Sequence, residues 1–229
     1  GEDLVADFLE AYAFPRAAGP QSHFAEALLL AAAAGDGPVV HSLLARRATV
    51  EAQEPIDHHI WFVHRNMRPL HHAAVCGHVE IVSALLERRA AVNARSGGTD
   101  MTPLDFAAMN ASPDLLPLLI QAGAEVGSRN WAGVSAFGFA AACNRLANMK
   151  ELLAAGAHAG LFDLHYCLLE GGSGIAMRGL LESRDDVDPN HRFIVRVKPA
   201  HVVIHLMALP YRLWGGGGYM AFYTFHLDG

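Results

Sequence analysis

One block of sequence recurs along this chain at a nearly fixed interval, and that recurrence limits what it can fold into more than any other feature. Met67 to Ala94 reads MRPLHHAAVCGHVEIVSALLERRAAVNA. Thr102-Pro-Leu-Asp-Phe-Ala-Ala follows, with Leu115-Leu-Pro-Leu-Leu-Ile and Gly123-Ala-Glu-Val behind it. Then come Ser135-Ala-Phe-Gly-Phe-Ala-Ala, Met149-Lys-Glu-Leu-Leu and Gly156-Ala. The blocks align on Arg68, Thr102 and Ser135, at almost equal steps. A fixed period of roughly 33 residues is the signature of a stacked repeat array.

Within one block the residues specify two short helices. Pro69 suits a first helical turn, where its missing N–H costs nothing. Ala73 and Ala74 are small enough for a neighbouring helix to approach closely, and Gly77 breaks the chain. Ile81, Val82, Leu85 and Leu86 form the apolar stripe of a second helix. A helical pair of this size cannot bury its apolar face alone, so successive pairs must stack.

The pattern resembles the ankyrin repeat. Pro69, Leu70, His71, Ala73, Ala74, Gly77, His78, Ile81, Val82, Leu85, Leu86, Ala90, Val92 and Asn93 match its motif position for position. The resemblance extends over roughly residues 24–188. It implies an all-α, ankyrin-type helix-turn-helix solenoid of four to five repeats, protein–protein recognition, and no catalysis or cofactor. It also gives His71 and His78 structural roles. Binding in such arrays falls on the concave surface made by hairpin tips and first helices. The positions that correspond here include His64, Arg65, Met67, Met101, Trp131 and Val134 at the tips, with Met109 and Asn110 on a first helix. Met67, Met101 and Val134 beside Trp131 would suit an apolar peptide or helix. Trp131 and Arg65 are the favoured anchors, because Trp and Arg dominate interface energetics.

The remaining segments fit around the array. Residues 1–23 read as an amphipathic helix (Leu4, Val5, Phe8, Leu9 and Tyr12 on one face) and a linker. Residues 24–52 read as a capping unit in which Glu26-Ala27 replaces the Thr-Pro signature. Residues 53–66 hold an insertion of about nine residues; Trp61 and Phe62 are either tucked against the first repeat or offered to a partner. Gly138 inside a helix costs about 1 kcal/mol relative to alanine, so the fourth unit should be softer than the others. An eroded fifth unit, aligned with Asp163 opposite Ser135, would follow at less than the full period and have a shortened hairpin. Residues 189–229 leave the repeat and read as strand, helix and strand, either a tail or an enlarged hairpin leading into a further repeat. An apolar surface there would favour self-association.

Charge and cysteine usage narrow the partner. The formal net charge is −6, and no run of lysine and arginine stands out, which argues against nucleic acid and anionic membrane. No apolar stretch is long enough to span a bilayer, and the first residues do not read as a signal peptide, so none is expected here. The chain begins at Gly1 without methionine and is expected to be part of a longer protein. Three cysteines without framework spacing point to a reducing compartment, the cytoplasm or the nucleus. Cys76 and Cys143 hold one position two repeats apart, about 20 Å at helix-layer spacing, too far to bond. Of fourteen histidines, none shows ligand spacing with cysteine or carboxylate, so no metal is expected. The glycine-rich stretches lack phosphate-loop context, and no cysteine has a base in sequence reach. The function expected is therefore a protein-binding module. The alternatives are a substrate-targeting part of a larger enzyme and a self-associating structural array.

Overall fold

The computed structural model describes residues 3–12, 23–53, 66–112, 114–170 and 173–176. Its elements are α1 (Leu4–Ala11), α2 (Phe24–Ala34), α3 (Gly37–Ala45), α4 (Pro69–Cys76), α5 (Val79–Glu87), α6 (Pro103–Met109), α7 (Leu115–Gln121), α8 (Ala136–Ala142), α9 (Leu146–Ala154) and α10 (Leu161–Leu169). There is no strand among the described residues; Arg129 and Ser135 form an isolated bridge. The chain divides into two compact units, Gly1–Pro189 and Asn190–Gly229; all the described residues fall in the first. The expected strand-helix-strand of 189–229, the second helix of the fifth unit and the Trp61–Phe62 segment lie outside them.

The helices pair as α2/α3, α4/α5, α6/α7 and α8/α9, and α10 opens a further unit. First helices α2, α4, α6, α8 and α10 stack in one layer, second helices α3, α5, α7 and α9 in another, and α1 packs on α3. The first layer is in closer contact because alanines line it: Ala31, Ala32, Ala73, Ala74, Ala107, Ala108, Ala140 and Ala141 are all buried. Leu43, Leu85, Leu119 and Leu152 fill the space between the layers and have no exposure.

Each first helix from α4 to α8 opens on a polar cap. At α6 the Thr102 backbone N–H donates to Asp105 Oδ2 over 2.8 Å, and the Asp105 N–H donates to Thr102 Oγ1 over 3.3 Å. At α4, His71 replaces the aspartate: Nδ1 accepts from the Arg68 N–H, and the Nε2–H donates to the Ala94 carbonyl over 3.0 Å. At α8 the equivalent residue is Gly138, which has no side chain to offer. Asp163, from the following unit, supplies the missing carboxylate. Its Oδ1 accepts from Ser135 N–H over 2.7 Å and from the Ser135 hydroxyl over 3.0 Å. Its Oδ2 accepts from the Gly160 N–H, capping α10 as well, and from Arg129 Nη1.

This arrangement corrects two sequence expectations. Asp163 is the third residue of α10, so Gly160 and not Asp163 stands opposite Ser135, and the fifth unit follows the fourth more closely still. Gly138 is also not a weak point awaiting alanine. A Cβ there would lie 2.4 Å from Asp163 Oδ1 and 2.9 Å from Asp163 Cα. Helix propensity alone would have Gly138→Ala gain about 1 kcal/mol; the clash should instead destabilise the protein by about 1–3 kcal/mol. Urea denaturation of the single variant decides the sign.

The far ends of the first helices are capped by the next repeat. His78 Nε2 bonds the Ala33 carbonyl over 3.2 Å, and Asn110 Nδ2 donates to the Val75 carbonyl over 2.8 Å. Arg145 Nε donates to Met109 O, and buried Asn148 donates to the carbonyls of Ala107, Ala108 and Asn110. These bonds satisfy carbonyls that a helix terminus otherwise leaves open.

Candidate partner-binding surface

The hairpins between repeats are cross-linked by arginine. Arg95 donates to Asp100 within its own hairpin, and to Ser128 Oγ and the Arg129 carbonyl in the next. Arg129 repeats the device one unit on, bonding the Gly133 carbonyl, Asp163 and the His158 carbonyl. The fourth hairpin closes on Asn130, whose Oδ1 accepts from the N–H groups of Ala132 and Val134. Gly133 takes φ 77°, the left-handed turn its position implied.

This geometry sorts the candidate residues. Trp131, at the tip, is 38% exposed. Met109 and Asn110 are half-buried at the end of α6. The apolar series does not reach the surface: Met67, Met101 and Val134 are 4, 2 and 3% exposed. Each comes directly before a helix cap, where the chain turns inward, so its side chain fills the space under the hairpin. Asn110 divides its amide between the Val75 carbonyl and the Ser112 N–H, which makes it an inter-repeat tie as well as a surface residue. His64 and Arg65 lie outside the described residues.

One feature escaped the sequence. Phe162 is part-exposed beside the fourth tip, its ring so close to Gly133 that a Cβ there would come within 2.7 Å. The start of α10 and the tip carrying Trp131 thus share one aromatic edge; only the corrected register of α10 brings Phe162 there. Along the first helices, Val75, Cys76, Met109 and Cys143 stand at least part-exposed. None of these carries a charge, so the helix ends offer a neutral strip beside the charged hairpins.

The chemistry available on this surface is limited. All three cysteines are free thiols, and burial pushes each above its usual range, Cys167 to about 11. A raised thiol is a poor nucleophile at neutral pH. Burial also holds His71 and His72 down at about 4, so both rings are neutral. Among the described residues no group of three or more His, Cys, Asp and Glu could hold a metal ion. No described helix is long and apolar enough to cross a membrane.

The family model for ankyrin repeats, in three copies, matches residues 28–130, from within α2 to the fourth hairpin. No curated protein matches the chain.

Proposed function

Because residues 28–130 make this chain an ankyrin-repeat protein, we propose that it binds a partner protein through the hairpin tips and first-helix ends, with Trp131 as the main anchor. Ankyrin repeats are in general protein–protein interaction modules and typically non-catalytic. The observation that carries the finer reading is the exposure of Trp131 on a hairpin whose backbone is held by Asn130 and Arg129. A large aromatic ring on a rigid support loses little freedom on binding, which is what an interface anchor requires. Met109 and the uncharged helix ends extend the surface toward an apolar segment of the partner. Free thiols support a reducing compartment.

Trp131→Ala should weaken the partner by about 2 kcal/mol or more, roughly 30-fold in affinity. Met109→Ala should add a smaller loss. Affinity capture from a cell extract, with each variant's circular dichroism checked against the parent, makes the comparison. Equal recovery of every protein by parent and double variant would remove this surface from consideration. Met101→Ala does not serve as a probe: the side chain is buried, and truncation should cost about 2–5 kcal/mol of stability.

A further inference from the structure

At the end of each second helix the chain turns through one left-handed residue. In the third and fourth repeats that residue is glycine, Gly123 (φ 91°) and Gly156 (φ 88°). In the first two it is arginine, Arg47 (φ 61°) and Arg89 (φ 62°). Side chains with a Cβ enter this region only at a cost, and steric room does not explain the difference. A Cβ added to Gly123 or Gly156 would meet nothing within 4 Å, so the later corners have room for a side chain and still do without one. Twice in succession the chain holds a strained arginine where its own later repeats use the relaxed residue. Strain that persists in the folded state points to a use for the side chain.

The fold then gathers more charge at the same corner. Arg46 precedes Arg47, and Arg88 precedes Arg89. The second pair sits against the first, because Arg88 Nη1 donates to the Leu44 carbonyl over 2.6 Å. Four of the chain's 17 basic residues thus occupy one edge of a protein whose formal net charge is −6. Two of the four are engaged, Arg46 with Asp3 and Arg88 with Leu44. Nearby Glu51 is committed to Arg68 and the Ala91 N–H, and Glu87 stands beside Arg88. Among the described residues no hydrogen bond or ion pair engages the side chain of Arg47 or Arg89.

We propose that Arg47 and Arg89 form a docking edge for an acidic segment of a partner protein, one carboxylate to each guanidinium. The repeats carrying them stack about 10 Å apart. A polyproline II segment rises about 9.3 Å in three residues and returns to the same face, so acidic residues three apart match the pair. The planar guanidinium grips each carboxylate in two parallel hydrogen bonds. This edge is separate from Trp131 and does not rest on the role given to it above.

The test uses the full chain and a fluorescein-labelled peptide in which Glu-Pro-Pro is repeated four times, with Gln-Pro-Pro as its neutral counterpart. Anisotropy at low ionic strength should show the acidic peptide binding, and at least tenfold weaker binding of the neutral one. Arg47→Gly with Arg89→Gly should lower affinity for the acidic peptide at least tenfold while raising the thermal midpoint by a few degrees, since the strain is removed. Trp131→Ala should leave the peptide affinity unchanged. Equal affinity in the parent and the glycine variant overturns the proposal, as does no binding by either. So does a fall in the midpoint of the glycine variant, which would make the arginines structural. Tighter binding of a single-stranded oligonucleotide than of the acidic peptide would overturn it in favour of a phosphate backbone.

Discussion

Asp163→Ala should cost about 3–5 kcal/mol, a large fraction of a typical domain's stability, and should loosen α8 and α10 before α4 and α6. The carboxylate is fully buried and accepts from two groups of Ser135, from the Gly160 N–H and from Arg129. Removing it leaves buried donors without a partner and an arginine without its counter-charge, while Gly138 offers nothing in exchange. Native-state hydrogen exchange reads the effect helix by helix: amides of α8 and α10 should lose protection while those of α4 keep most of theirs. Adding Gly138→Asp should not rescue this variant, because the Cβ it brings would still meet the Cα of position 163, 2.9 Å away. A uniform loss of protection over all helices, or a change under about 1 kcal/mol, would sink the account of α8 as a helix capped by its neighbour.

Asp105→Asn should stabilise the protein at pH 8 and leave it nearly unchanged at pH 4. Asp105 is fully buried; its Oδ2 takes both Thr102 donors, and Oδ1 meets no donor among the described residues. Burial pushes its carboxyl up to about 7, with Thr102 and Arg95 opposing and Asp163 adding to the rise. A pKa raised on folding contributes stability that is complete below the unfolded value near 4 and lost as pH climbs through about 7. The asparagine has no such loss, so its advantage should grow across that window and level off above it, at no more than about 4 kcal/mol. His71 and His72 run the other way: held down at about 4, they weigh against the fold progressively as pH falls from 6.5 toward 4. Both proteins carry these histidines, so the difference between them isolates Asp105. Urea midpoints at pH 4.5, 6 and 8 measure it, and a gain independent of pH would refute the buried-acid reading.

Where side chains mark helix starts, the sequence was readable. Pro69 and Pro103 begin α4 and α6, Thr102 and Ser135 cap their helices as the repeat alignment implies, and Gly77 takes its left-handed turn (φ 83°) after α4. The register failed where the cap has no side chain. Gly160 opens α10 with nothing to distinguish it from a loop glycine, and the alignment slipped onto the first recognisable Asp-Leu-His. Of the candidate residues, Trp131 reaches the surface. Met67, Met101 and Val134 do not, because a residue one step before a helix cap sits in the loop by sequence and under it in space. The arginine edge was invisible for another reason: its two pairs belong to different repeats and meet only when α3 and α5 stack.

The bonds by which His78, Asn110, Arg145 and Asn148 reach back to the preceding unit also fix what can be cut and transplanted. A repeat excised at its sequence boundaries loses the donors that close its own first helix and keeps those meant for the one before. For α6, closure comes from Arg145 and Asn148 at the beginning of α9. The smallest graftable brick is therefore longer than the sequence period, running from one first helix to the start of the next unit's second helix, and bricks joined in a chimera must overlap by that half unit.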